Sequence, residues 1–281
     1  MTKPDLGAYG VFGFYKQFAE LSGEQLRDIE ALGYGALWAG GSPPAELDWV
    51  DPILAATTSL KVATGIVNVW TAPAEQVAAS YRRIERAHPG RFVLGIGVGH
   101  PEAHQEYRSP LAVLNDYLDV LDAHGVPRER RVVAALGPKV LRLSADRAAG
   151  AHPYLTTPEH TARARELIGP EALLAPEHKV VPTTDAEAAR AVGRRFLDIY
   201  LGLANYRNNW KRLGFDDEDL TKPGSDRFVD AVVAHGPVEA IAARLAEHRD
   251  AGADHVPVQV LTGTDGLVPA LTELAGALGL A

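Results

Sequence analysis

Apolar positions along the chain fall alternately into short continuous runs and into stripes at helical spacing, and the alternation predicts a strand–helix order. Leu6-Gly-Ala-Tyr-Gly-Val-Phe12 reads as a first strand. Ser22 with Gln25 three residues on makes a capping box, Leu26, Ile29 and Leu32 share one helical face, and Gly33 is a natural stop. Tyr34-Gly-Ala-Leu-Trp38 then predicts strand two, residues 48–58 a helix, and residues 61–70 strand three. Behind Pro73, the spacing of Val77, Tyr81 and Ile84 predicts a helix that Pro89-Gly90 ends before a strand over 91–98. Leu111, Leu114, Leu118 and Leu121 form the next stripe, followed by a strand over 131–136 and a helix from Gly137 through Asp146. A sixth strand is expected over 151–155. Residues 172–175 and 179–182 together supply the seventh, with limits blurred by Pro176-Glu-His.

The rhythm then stops. Residues 184–235 carry helical stretches over 188–203 and 206–213 and a polar run over 216–225, which predicts a long insert. Val238, Ile241 and Leu245 restore the pattern, residues 255–261 make strand eight, and a last helix opens near Gly266. Alternating strands and helices imply a parallel sheet. Eight of them over 281 residues predict one α/β domain over 1–281, a (β/α)8 TIM barrel with a helical insertion between strands seven and eight; an open doubly wound sheet is the alternative.

Composition narrows the function classes. A net charge of -8 without a basic block argues against a nucleic-acid surface, and the absence of cysteine removes disulfides, thiolate metal sites and a cysteine nucleophile. No apolar run approaches the ~20 residues of a membrane span, and Met1-Thr-Lys-Pro-Asp5 lacks a signal-peptide pattern. A cytoplasmic enzyme with a small-molecule substrate is the expectation. A homodimer is a possible assembly.

In a barrel the active site lies at the carboxyl ends of the strands. Those ends read Phe12-Gly-Phe, Trp38-Ala39-Gly40-Gly-Ser, Asn68-Val-Trp70, Gly97-Val-Gly99-His100, Gly137-Pro138-Lys139 and Tyr154, which are glycines and aromatics with few titratable groups. The profile suits a large planar cofactor better than hydrolytic machinery. Gly65, inside strand three, marks either a bulge where a ligand comes close or relief of crowding. His100 and His104 lie four apart, but no third ligand is evident nearby, and no metal is assigned. Lys139 either meets phosphate at a helix N-terminus or is solvated. Trp70 and Tyr206 either wall a substrate pocket or pack in the core, and Asn208-Asn209 is equally open.

The order of the pieces resembles the bacterial luciferase-like superfamily of flavin and deazaflavin oxidoreductases. The resemblance rests on Leu26-Arg-Asp-Ile-Glu-Ala-Leu-Gly-Tyr-Gly-Ala-Leu-Trp38, Val62-Ala-Thr-Gly-Ile66, Gly90-Arg-Phe-Val-Leu-Gly-Ile-Gly-Val98, Gly137-Pro-Lys139 with Ala145-Asp146, and Ala251-Gly-Ala-Asp-His-Val256. It implies hydride transfer with coenzyme F420, or oxygen activation with FMN as the alternative; a metal-dependent hydrolase and a non-catalytic flavin-binding protein are the further alternatives. It also implies a cofactor held by Ala39, Gly40, Thr64, Gly65, Ile66, Asn68, Gly97, Gly99, His100, Gly137, Pro138, Lys139, Val140 and Tyr154. Substrate would meet Phe12, Trp38, Trp70 and Tyr206, with His100 and Tyr206 as the catalytic candidates. A further implication is a non-proline cis peptide at Gly65-Ile66, bulging against the cofactor ring. The acid or histidine that several such enzymes carry after strand two is replaced here by Ala39-Gly-Gly-Ser42.

Overall fold

A computed structural model of the chain describes residues 3–99 and 109–280. Its strands are β1 Tyr9–Phe14, β2 Ala36–Gly40, β3 Lys61–Thr64, β4 Val67–Asn68, β5 Phe92–Gly97, β6 Arg131–Val133, β7 Gly150–Ala151, β8 Leu173–Leu174, β9 His178–Val181, β10 Val233–His235 and β11 Val256–Val260. Every pairing is parallel, and the sheet runs β10-β9-β11-β1-β2-β3-β5-β6-β7-β8, with β4 beside β5. β8 and β9 are two pieces of the expected seventh strand. Ala175 N–H donates to Ala151 on one side, and Asp254 N–H donates to Leu174 C=O on the other, so the ring closes into the expected barrel.

Local chemistry explains the elements. The Ser22–Gln25 capping box is formed in both directions, and prolines open the helices Pro110–Ala123, Pro138–Arg147 and Pro158–Ile168, where a missing N–H costs nothing. Strands buried on both faces alternate outward residues such as Val11, Leu37, Val62 and Leu94 with inward ones such as Phe12, Trp38, Ala63 and Val93. Strand bounds move from the expected ones: strand one runs two residues further, and strands five and six are shorter because Ala134–Leu136 and His152–Leu155 leave the ladder at the barrel mouth.

The expected strand over 61–70 is two pieces. Ala63 pairs with Val93 but Val67 pairs with Ile96, so one more residue lies on this strand than on its partner, which is a bulge. Thr64 mends the ladder there, because its Oγ1 donates to Gly95 C=O at 2.8 Å and accepts from Gly95 N–H at 2.8 Å. The Gly65-Ile66 peptide is cis. Residues 184–235 carry the helices Ala186–Leu197, Ala204–Arg212 and Asp226–Val232 and return a strand, β10, to the sheet. Their own core is built on Trp210, Phe228, Leu201 and Leu220. No helix among the described residues is long and apolar enough to cross a membrane.

The barrel interior is plugged by rings. Trp38 is 0% exposed and stacks on His152 with centroids 4.3 Å apart. Its Nε1 donates to His255 Nε2 at 2.9 Å, and His255 Nδ1 donates to Gly7 C=O at 2.9 Å. Burial pushes His152 and His255 down to about 4, and His248, which bonds Thr161 and His178, down to about 3. All three are therefore neutral when folded and take up protons near pH 6.5 only when unfolded. Stability is complete above that pH and falls as pH drops from 6.5 toward 4, by up to about 4 kcal/mol per pH unit for three histidines. Urea midpoints at pH 7.5 and 5.0 check this; equal midpoints would show that the histidines charge freely in the native state.

Candidate active site

The bulge, the ends of β1, β2, β5 and β6, and the insert together enclose a cavity of about 370 Å³ at the carboxyl ends of the strands. One wall is Gly65, Ile66 and Asn68. Asn68 is fixed by its Oδ1, which accepts from Trp70 N–H at 3.0 Å. Phe12 and His152 lie against Gly65, close enough that a Cβ there would stand 2.8 Å from Phe12 Cε2 and 3.1 Å from His152 Nε2. Val98 and Gly99 continue this side, with Gly99 at φ +57, a conformation that favours glycine.

The opposite wall is Ala134, Ala135, Leu136, Gly137 and Val140 with Pro110. A Cβ on Gly137 would meet no atom within 4 Å among the described residues. The insert closes the third side with Tyr200, Asn205 and Tyr206, and Tyr154 stands beside them. Tyr154 and Tyr200 have ring centroids 5.8 Å apart, and Tyr200 and Tyr206 5.1 Å apart. Burial raises all three phenols above their ordinary range, so each is a neutral hydrogen-bond donor at physiological pH. No arginine, lysine, aspartate or glutamate lines the cavity among the described residues.

Two buried acceptors on this lining are unmatched. His152, 1% exposed, donates through Nδ1 to Ala175 C=O at 2.7 Å; this sets the tautomer and leaves a lone pair on Nε2, which has no partner among the described residues. Asn205 Oδ1 is likewise without one. Behind Tyr154 lies an ion pair with both members 0% exposed: Lys179 Nζ donates to Glu177 Oε1 at 2.8 Å, and Glu177 Oε2 accepts from Leu155 N–H. Burial pushes Lys179 down and Glu177 up, and each opposes the other's shift.

Of the residues expected from the sequence, Phe12, Gly65, Ile66, Asn68, Gly99, Gly137, Val140, Tyr154 and Tyr206 line this cavity. Others do not. Trp38 belongs to the interior plug beneath it, and Trp70 turns its Nε1 to Val98 C=O at 2.9 Å. Ala39 and Gly40 are buried below the rim, where Gly41 and Ser42 take the lining place. Thr64 is spent on Gly95, and Gly97 is covered by Ile66. Pro138 and Lys139 are exposed on the outer side of their helix turn. Asn208 is exposed and Asn209 buried, neither on the lining. His100 and His104 lie outside the described residues. Phe14, Gly41, Ser42 and Val98 lie in the strand-end stretches expected to form the site but carried no assigned role, and Pro110, Ala134, Ala135, Leu136, His152, Tyr200 and Asn205 were not anticipated; for His152 the available signal was a histidine directly after a strand, at the barrel mouth.

Comparison with known proteins agrees with this architecture. Residues 16–255 match the family model described as luciferase-like monooxygenase. An F420-dependent secondary alcohol dehydrogenase, solved with an F420-acetone adduct, superposes with a TM-score of 0.73 at 12% identity, covering 99% of both chains. The coenzyme F420-dependent tetrahydromethanopterin reductase from Methanopyrus kandleri gives 0.68 at 13% identity, over 96% of this chain and 99% of that one. The oxygenating constituent of 3,6-diketocamphane monooxygenase from Pseudomonas putida, in complex with FMN, gives 0.69 at 14% identity, over 95% and 96%. Among curated proteins no sequence match emerges. The family match spans most of the chain and the fold agrees with its solved relatives, so this protein belongs to the luciferase-like monooxygenase family of oxidoreductases.

Proposed function

We propose that the chain is an F420-dependent oxidoreductase that moves a hydride between the deazaflavin and a small organic substrate. The observation that carries the reading is the cavity itself: mostly apolar, backed by Gly65 and Ile66, with the uncharged polar groups of Asn68, His152, Tyr154, Tyr200, Asn205 and Tyr206 on its lining. The unmatched acceptors His152 Nε2 and Asn205 Oδ1 fit a ring system that brings its own N–H and O–H donors. When bound, the deazaflavin supplies a two-electron hydride site.

The chain's own residues bind, orient and exclude water. Gly65, Ile66, Asn68, Gly99, Gly137 and Val140 would hold the cofactor, and Phe12 and Tyr154 would shield it. Tyr206, kept protonated by burial, would hand a hydrogen bond or a proton to substrate oxygen, with Tyr200 beside it. Among the described residues the lining carries no arginine or lysine, so neither the phosphate of FMN nor the phosphate-bearing tail of F420 finds a cation there. The second reading, an FMN-dependent monooxygenase, is favoured by the name of the matching family model.

Equilibrium titration separates them. F420 should bind at micromolar concentration or tighter and FMN at least tenfold more weakly; the reverse order would assign the chain to the monooxygenases. Gly65→Val should cost on the order of 1–3 kcal/mol in urea unfolding, because the new side chain meets Phe12 and His152, and should also remove F420 binding from the folded variant. Unchanged binding would mean that the bulge does not touch the cofactor.

A further inference from the structure

A second hollow, of about 470 Å³, opens beside the cavity at the same end of the barrel and shares Phe14 with it. Phe14 is 44% exposed, uncommon for a phenylalanine. Pairs of contacting side chains separate the two spaces. Tyr154 lines the cavity and donates its hydroxyl at 3.0 Å to Oε1 of Gln259, which lines the groove. Tyr200 lines the cavity and stacks at 5.7 Å on Phe196, which lines the groove. Inside the partition, Lys179 Nζ stands 3.7 Å from the Tyr154 ring centroid and 4.7 Å from that of Phe196.

The polar groups on the groove side are donors. Gln259 is 3% exposed; with Oε1 engaged by Tyr154, its amide N–H groups have no acceptor among the described residues. Arg195, on the helix Ala186–Leu197, lines the groove with no ion pair or hydrogen bond among the described residues. Its neighbours Arg190 and Arg194 are both bound to aspartates. Gly263, also on the lining, precedes the fourteen-residue helix Thr264–Ala277 and offers no side-chain cap to its first N–H groups. Glu20 and Asp265, carried by flanking elements, do not line the groove, and no other acid does among the described residues.

We propose that the groove is a subsite for the anionic end, a carboxylate or a phosphate, of a small molecule whose uncharged part occupies the adjoining cavity, with Arg195 as its charge partner and the Gln259 amide as a neutral donor. The inference rests on the cavity being the ligand site proposed above. Phe14, common to both spaces, is the sill over which such a molecule passes. The charge comes either from the substrate or from the tail of the cofactor.

The test is a titration of 15N-labelled full-length protein with inorganic phosphate and with succinate, followed by NMR. Saturable shifts are expected at the Gln259 side-chain amide and at Gly263, weakened at least tenfold in Arg195→Gln, an exposed substitution that leaves unfolding unchanged. Absence of saturable shifts, or equal affinities in the two proteins, would overturn the subsite. A second arm compares F420 with the same deazaflavin lacking its phosphate-bearing tail, and FMN with riboflavin. Selectivity for the charged forms that is lost in Arg195→Gln assigns the groove to the cofactor tail, whereas selectivity unchanged in Arg195→Gln while phosphate and succinate binding is weakened assigns it to the substrate. Binding of phosphate or succinate without binding of any flavin or deazaflavin would leave the subsite standing and bring down the oxidoreductase reading instead.

Discussion

The bore of an eight-stranded barrel holds little more than side chains, and here one indole takes most of it. Trp38 fits because its neighbours on the inner face are small, Ala36 and Ala63 among them, and because Gly10 leaves room for the imidazole of His255. Burying an indole N–H without an acceptor is costly, and His255 accepts from that of Trp38 only when it is neutral and keeps its other nitrogen on Gly7. His152 stacks on the second face. The floor of the cavity is therefore rigid and aromatic, and the mouth above it can be lined with glycine and alanine without collapsing.

The bulge depends on the same economy of space. Thr64 supplies the hydrogen bonds that the extra residue removes from the ladder, and Gly95 must lack a Cβ because Thr64 C=O would stand 1.8 Å from it. Gly65 in turn has no room for one, with Phe12 on one side and His152 on the other. Three residue choices, Thr64 and Gly65 side by side in the chain and Gly95 on the neighbouring strand, converge on presenting one short piece of backbone to the cavity.

Much of the fold was legible because it is written in local signals: a capping box at Ser22, prolines at helix starts, apolar runs of strand length between glycine stops. The anomaly of Gly65 inside a strand pointed to a residue that lines the cavity. What the sequence hid was depth. Ala39, Gly40, Thr64 and Gly97 belong to strand ends, but in a closed barrel the last buried residues lie under the rim, and the lining passes to Gly41, Ser42 and Val98. Trp38 was expected on the wall and Trp70 read equally well as wall or core, since an aromatic at a strand end has no local mark of which way it faces. Tyr200 and Asn205 reach the cavity only through the packing of the insert, a long-range arrangement with no periodicity to betray it.

The strand β10 changes what the insert means for the molecule. Lys179 has Val233 on one side and Gln259 on the other, so the segment carrying the buried Lys179–Glu177 pair is an interior strand only because the insert comes back to cover it. Without β10 it would be a bare edge, with unpaired amides and carbonyls open to another chain. The insert is thus welded into the wall it decorates. Its helices carry Tyr206 and Asn205 to the cavity, while its last three residues, 233–235, are bound to the sheet, so the wall and its support are one piece of chain.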